Sequence, residues 1–204
     1  MYLKKQIKKY SKIVGCVLLF VIIAFFGYNH IKNKDNYHKG IESFESGENL
    51  DALKYFSQSN GYNDSNKRMK KILKKEVISK KYISIDNALK YLKYYSENNK
   101  DLYDLCKQIK AVENNVYYQD HEYKFEATYF LSYGKPMAKV TYENYLGYFV
   151  DSEVKSVKKD FLFKINAKGY YRRLDKWSNI YIYVNKHKVY VDFEGNDYYL
   201  DCDK

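Results

Sequence analysis

The chain is poor in the residues that interrupt or cross-link a fold. It has one proline and nine glycines among 204 residues, so long disordered linkers, which are rich in such residues, are not expected. Its three cysteines form no CxxC motif and no Cys/His metal-binding spacing. Cys106 and Cys202 could form a disulfide in an oxidising compartment. Nothing in their spacing requires one, and we expect two free thiols.

Motifs of catalysis and cofactor binding are also missing. The sequence contains no GxSxG, HExxH or Walker motif, and no GxGxxG between a strand and a helix. The four histidines are scattered, and the acidic residues near the C-terminus do not fit an EF-hand loop. We therefore expect no metal, no cofactor and no enzymatic activity, although an active site assembled from distant residues stays open.

Lysine and tyrosine are abundant instead. The chain has 26 tyrosines and a formal net charge of +11. AT-rich codons encode Lys, Asn, Tyr and Ile, so much of this charge reflects composition rather than a nucleic-acid partner. The position of the charges therefore says more than their total.

The N-terminal segment has the pattern of a membrane anchor. Residues 1–12 carry five lysines and no acid, and residues 13–28 carry no charge. A span needs about 20 apolar residues, and about 17 suffice; Tyr10 and Tyr28 at the interfaces and a snorkelling Lys12 would make up the difference. We predict a basic cytoplasmic tail over 1–12 and a transmembrane helix over 13–31. The lysine asymmetry predicts that the rest of the chain is extracytoplasmic.

Two other interpretations of this segment exist. A cleaved signal peptide would need a small-x-small site after the apolar run, where the sequence instead reads FFGYNHIKNK. A lipoprotein signal would place its cysteine at the end of the apolar run, whereas Cys16 stands near its beginning. The retained anchor is favoured over both.

Residues 36–113 have helical periodicity broken by short polar turns. Helices are expected over 36–46, Leu50–Ser57, from Asp64 or Ser65 to Lys81, from Ser84, and from Asn99 or Asp101. Small and aromatic residues of the first pair fall on a spacing that resembles tetratricopeptide repeats, and the second pair matches it only in part. The residues that carry the resemblance are Gly40, Gly47, Ala52 and Phe56, followed by Ala88 and Leu92.

The resemblance implies stacked helix pairs that bind a protein or peptide, without catalysis. In such a stack Gly40 and Ala52 would be small where two helices cross, and Phe56 would fill the space between pairs. A generic helical bundle is the alternative. The basic run Lys67–Lys75 is expected to be a solvated helix face, and anionic wall polymers or lipid headgroups would suit it better than nucleic acid.

The period changes near Val116 to the alternation of strands. Seven or eight short strands over 116–204 predict an antiparallel sandwich or barrel. Turns are expected at Gly134-Lys135-Pro136, Ala167-Lys168-Gly169, Asn185-Lys186-His187 and Glu194-Gly195-Asn196-Asp197. The fold class is thus α+β: a transmembrane helix, a short helical-repeat segment and an antiparallel β domain.

Most tyrosines of the β domain are expected to serve strand propensity and core packing. An exposed aromatic cluster would be the first place to seek a binding face, and one is predicted at Tyr170, Tyr171, Arg172, Arg173 and Trp177.

The sequence favours an interaction protein of a bacterial cell envelope, held by a single span. Its expected partner is another envelope protein or an anionic wall polymer. The alternatives are an envelope enzyme or enzyme accessory that acts on cell-wall glycan or peptide, and a basic nucleic-acid binder. The sequence does not identify the ligand or the oligomeric state.

Overall fold

The protein folds as two compact units, Met1–Lys70 and Lys71–Lys204, in a computed structural model. The described residues are 2–120, 123–143, 152–157, 160–171, 176–193 and 196–202.

The first unit is built on one long helix. Helix α1 runs without a break over Tyr2–Glu45, and α2 follows over Asn49–Gln58. The structure corrects the prediction of a separate helix over 36–46, because no glycine or proline signal separates that segment from the span and the backbone continues through it. Gly47 ends α1 with φ of +82°, a left-handed conformation that glycine adopts at little cost.

Helices α1 and α2 pack as an antiparallel pair with α2 returning along α1. Asn36 Nδ2 donates to the Gln58 carbonyl at 3.2 Å, near the end of α2. Phe56 is fully buried, and a Cβ placed on Gly40 would lie 2.7 Å from two of its ring carbons. The glycine therefore sets how closely the two helices approach.

A loop leads from α2 to α3, which covers Ser65–Leu73 and ends in a π-helical turn over Lys74–Ile78. The prediction that this helix reaches Lys81 was too long. At the start of α3, Tyr37 Oη donates to Asp64 Oδ1 at 2.5 Å and Arg68 Nε donates to the same oxygen at 2.8 Å. This trio ties the start of α3 to α1.

The second unit combines two helices with a closed antiparallel β-barrel. Helix α4 covers Ile85–Leu92 and α5 covers Lys100–Lys110, with a 3-10 turn over Ser96–Asn98 between them. The predicted start at Ser84 is confirmed, since Ser84 Oγ accepts a hydrogen bond from the Asn87 N–H. The strands described are β1 Ile83–Ser84, β2 Tyr117–Gln119, β3 Tyr123–Ser132, β4 Lys135–Glu143, β5 Ser152–Ser156, β6 Phe163–Tyr171, β7 Lys176–Val184, β8 Lys188–Phe193 and β9 Asn196–Cys202.

Among the described strands, β2 to β9 close into the barrel. Their order is β3-β2-β9-β8-β7-β6-β5-β4, and β4 pairs with β3 to complete the circle. One edge of β3 is divided between two partners, with β2 opposite residues 123–125 and the short β1 opposite residues 130–131. Of the two architectures predicted for this region, the barrel is therefore the one observed.

The predicted turn at Ala167-Lys168-Gly169 lies inside a strand, and the one at Gly134-Lys135-Pro136 lies partly inside one. Ala167, Lys168 and Gly169 are paired residues of β6, opposite Ile180, Asn179 and Ser178. The alternation of buried Phe163, Ile165 and Ala167 continues through them, and a glycine can occupy a strand position without turning the chain.

At the β3–β4 hairpin, the turn is confined to Tyr133 and Gly134. Pro136 pairs with Leu131 near the start of β4, a strand position that tolerates proline. The predicted turn at Asn185 is confirmed, because Asn185 Oδ1 accepts from the backbone N–H groups of His187 and Lys188.

Candidate functional site

The interior of the barrel is occupied by its own side chains. Buried residues from all eight of its strands form one cluster with residues of α4 and α5. Tyr117, Phe125 and Phe163 are among the largest of these fully buried side chains. A packed interior of this kind directs the search for a binding site to the outside of the barrel.

The predicted aromatic patch is only partly described. Trp177 lies on β7 with its side chain 55% exposed, and its backbone pairs with Tyr170 on β6. Tyr171 pairs with Lys176 at the end of the same two strands. The side chains of Tyr170 and Tyr171, and the whole of Arg172 and Arg173, lie outside the described residues.

A different aromatic row crosses the outer face of the barrel. Tyr183, Tyr190 and Tyr199 are directly opposite one another on β7, β8 and β9. Their ring centroids are 5.5 Å apart between the first two and 5.0 Å apart between the last two. We call these three residues the tyrosine ladder. Tyr199 is the most exposed of them at 57%.

The tyrosine ladder faces outward because the strands alternate. Its neighbours along the chain, Ile182, Val184, Val189, Val191 and Leu200, are all fully or almost fully buried. Since successive side chains of a strand point to opposite faces, the tyrosines between them point away from the core. Cross-strand aromatic pairs also stabilise a sheet by about 0.2–1 kcal/mol each.

Charged groups of both signs surround the tyrosine ladder. Tyr190 Oη donates to Asp197 Oδ1 at 2.6 Å, and this hydrogen bond raises the pKa of Tyr190 to about 12. Lys188 Nζ lies 5.8 Å from the centre of the Tyr199 ring, and Lys164 Nζ lies 5.3 Å from that of Tyr181. The face therefore offers ring surface, phenol hydroxyls, ammonium groups and carboxylates to a partner.

The residues of the proposed repeat motif lie in two places. Gly40 contacts the Phe56 ring closely and Ala52 is fully buried, both in the first unit. Ala88 and Leu92 are fully buried in the second unit, in the cluster that α4 shares with the barrel.

The described residues offer little to acid–base or metal chemistry. Among them, no group of three His, Cys, Asp or Glu side chains is placed to hold a metal ion. Burial raises the pKa of the Cys106 thiol to about 12, and a thiol with so high a pKa is inert at neutral pH. The outer face is chemically suited to binding.

Sequence reasoning missed the tyrosine ladder although a signal for it was present. The predicted turn at Asn185-Lys186-His187 joins two strands, and folding the chain about that turn brings Tyr183 and Tyr190 opposite each other. Counting outward from the next turn would have added Tyr199. The register of a hairpin is set by its turn, so the row follows from turn position and alternation together.

Comparison of the chain with protein-family models, with curated proteins and with solved structures finds no match.

Proposed function

We propose that this protein is a single-span membrane-anchored interaction protein of the cell envelope. In this proposal α1 holds the protein in the membrane, and the outer face of the barrel binds another envelope protein. The observation that carries it is the tyrosine ladder, an aromatic row of two half-buried rings and the exposed Tyr199, on a barrel whose interior is filled. Tyrosine-rich surfaces are typical of protein interfaces because each ring offers apolar area together with a polar hydroxyl.

The anchor is supported by α1 itself. Within the described residues, α1 contains the one segment that is long and apolar enough to cross a membrane. Every side chain from Val14 to Tyr28 is exposed, including large ones such as Phe20 and Phe26. Exposed apolar surface on this scale favours a lipid surrounding over water.

The charges of the barrel face favour a protein partner over an anionic wall polymer. Lys164 and Lys188 stand near the tyrosine ladder, and so do three acids, Asp192, Asp197 and Asp201, on outward positions of β8 and β9. Three carboxylates against two ammonium groups would repel a polyanion more than attract it. The same balance disfavours nucleic acid at this face.

The helix pair has a supporting role in the proposal. The close contact between Gly40 and Phe56 lies within this pair, whereas the resemblance to a tetratricopeptide repeat implies a Phe56 ring between successive pairs. We assign the first unit the role of the membrane anchor. The barrel is the binding module.

Site-specific photocrosslinking tests this proposal. A benzophenone amino acid at Tyr199 should crosslink one defined partner in native membranes. The matched control is Thr141, which is exposed on β4, four strands from β8 in either direction around the barrel. Equal crosslinking from both positions, or none from Tyr199, would contradict the binding face. A reporter fusion that places residues 29–204 in the cytoplasm would contradict the envelope location.

A further inference from the structure

The apolar part of α1 ends well before the helix does. The apolar run ends at Tyr28, because Asn29 and His30 are polar and the first charge follows at Lys32, whereas α1 continues to Glu45. At 1.5 Å per residue, this continuation is about 25 Å long. A helix that leaves the membrane at Tyr28 would thus extend well beyond the headgroups before the chain turns at Gly47.

Helix α2 brings the chain back toward the end of the apolar run. The contacts with α1 move down α1 as the chain advances, from Gly40 with Phe56 to Asn36 with Gln58. They end with the rings of His30 and Tyr62, whose centroids are 5.5 Å apart at an edge-to-face angle of 65°. The Tyr62 ring also lies 5.7 Å from that of Tyr37. His30 and Tyr37 lie about 3 Å and about 14 Å beyond Tyr28 along the helix, so Tyr62 lies between these two levels.

A defined loop holds Tyr62 at this level. Asn60, Gly61 and Asn63 all have φ between +51° and +75°, and the Tyr62 N–H donates to the Ser59 carbonyl at 3.0 Å. Each headgroup layer of a bilayer is about 5–7 Å thick. Tyr62 is therefore close to the outer boundary of that layer when Tyr28 is at the edge of the hydrocarbon, in the interfacial region where tyrosine is enriched.

The charges of this helix pair are separated between its two ends. The end beside Tyr28, formed by residues 29–39 and 59–70, has six lysine or arginine and two aspartate side chains, for a net charge of +4. The opposite end, residues 40–58, has four acidic side chains and one lysine, for a net charge of −3. Because residues 29–39 directly follow Tyr28, the basic end is the nearer of the two to the membrane.

Both acids of the basic end already have partners. Asp35 accepts from Lys39 at 2.7 Å, and Asp64 accepts from Tyr37 and Arg68. Four further lysines of this end are exposed, and they come from both helices: Lys32 and Lys34 on α1, and Lys67 and Lys70 on α3. Lysines near an anionic bilayer each add about a fivefold attraction.

We propose that the basic end of the helix pair, with Tyr62 at its tip, docks on anionic lipid headgroups beside the span. The first unit then has two membrane contacts, the transmembrane part of α1 and the returning loop. This proposal rests on the membrane anchorage proposed above. It differs in requiring a specific second contact and a dependence on lipid charge.

Depth measurements on the full chain test the docking. Cys16, Cys106 and Cys202 are replaced by alanine, and a single cysteine is placed at Asn63 in the returning loop or at Ser46 at the opposite end. Both positions are exposed. A fluorophore at each is quenched by nitroxide-headgroup lipids in vesicles of phosphatidylglycerol and phosphatidylcholine. Quenching should be several-fold stronger at residue 63 than at residue 46.

Lipid charge and lysine substitution test the electrostatic part. The double substitution Lys67→Gln/Lys70→Gln should weaken docking by about fivefold for each lysine. In a salt titration, the quenching at residue 63 should then be lost at a lower salt concentration than in the wild type. The matched control is Lys54→Gln, a lysine of the acidic end, which should leave quenching unchanged. Vesicles of phosphatidylcholine alone should weaken docking more than the double substitution does, because they remove the attraction for all four exposed lysines.

The outcomes separate this proposal from the anchorage. Equal quenching at residues 63 and 46, in a protein that still resists alkaline extraction, overturns the docking and leaves the span intact. Quenching that ignores lipid charge overturns the role of the lysines. If a soluble glycerol-phosphate polymer changes the emission at residue 63 and anionic lipid does not, the basic end binds a polymer and the proposal fails. Loss of the protein from vesicles on alkaline extraction overturns both.

Discussion

At the scale of single residues, the closest contact is between Gly40 and the Phe56 ring. A Cβ on Gly40 would lie 2.7 Å from buried ring carbons that have no room to move. Gly40→Ala gains about 1 kcal/mol of helix propensity but forces overpacking that costs about 1–3 kcal/mol. We expect net destabilisation of the first unit by up to about 2 kcal/mol, measured by denaturant unfolding of the full chain in detergent.

The control for this substitution is Glu42→Ala, at an exposed position two residues further along α1. It should change the free energy of unfolding by no more than about 0.5 kcal/mol. The double variant Gly40→Ala/Phe56→Leu should lose less free energy of unfolding than the two single variants together, because the smaller side chain at residue 56 relieves the clash. An increase in stability for Gly40→Ala alone would contradict the close packing.

The Asp64 carboxylate makes the first unit sensitive to acid. The hydrogen bond from Tyr37, and then that from Arg68, hold the pKa of Asp64 below its ordinary value of 3.8. A carboxyl whose pKa is lowered on folding stabilises the fold above its unfolded pKa, and loses that contribution as the pH falls through its folded pKa. The stability advantage of the wild type over Asp64→Asn should therefore be complete above about pH 5 and shrink below pH 3.8.

Thermal unfolding of both proteins between about pH 2.5 and pH 7 measures this difference. Asp51→Asn is the control, since Asp51 is an exposed acid of α2. Its difference from the wild type should stay small across the range. A gap between wild type and Asp64→Asn that widens toward acid pH would reverse the expected sign.

At the scale of elements, the β3–β4 hairpin has an unusual turn. Tyr133 and Gly134 have φ of +49° and +74°, as in a type I′ turn, for which Asn-Gly is the favoured pair. A bulky tyrosine is strained there. Tyr133→Asn should stabilise the second unit by about 0.5–1 kcal/mol, measured as a rise in its unfolding midpoint.

Gly134→Ala should have the opposite effect on the same hairpin. An alanine at this position would have a strained, positive φ, and its Cβ would lie 2.9 Å from Ile78 Cδ1. Gly134→Ala strains the backbone of the turn but keeps the Tyr133 ring, whereas Tyr133→Asn relieves strain and removes the ring. Comparing the two therefore separates backbone strain from loss of the tyrosine ring. Destabilisation by Tyr133→Asn would mean that contacts of the ring outweigh the strain of its backbone.

Elements were predictable from sequence where a local signal sets them. Ser84 starts α4 with its hydroxyl, and Asn185 closes the β7–β8 turn with its side-chain oxygen; both act within a few residues. The turn predicted at Gly169 was wrong because glycine marks turns but also fits inside strands. Pairing with Ser178 on β7, which no local pattern reveals, keeps it in β6.

At the scale of the whole molecule, the span is the most testable feature. Asp at the centre of a transmembrane helix costs about 2.5–3.5 kcal/mol, so Phe20→Asp/Ile22→Asp should release the protein on alkaline carbonate extraction. The wild type should remain in the membrane pellet. His38→Asp, at an exposed position of α1 beyond the predicted span of 13–31, is the control and should stay in the pellet as well. Wild-type protein in the soluble fraction would contradict the anchor.

The sequence by itself determined what depends on neighbours along the chain. An unbroken apolar run, the period of 3.6 in the helices and the alternation of strands are local, so the candidate span and the α+β class could be read from them. Barrel closure through β3 and β4 and the return of Tyr62 to His30 were decided only by the tertiary structure. Each joins segments separated along the chain, where register and packing rather than local preference select the partner.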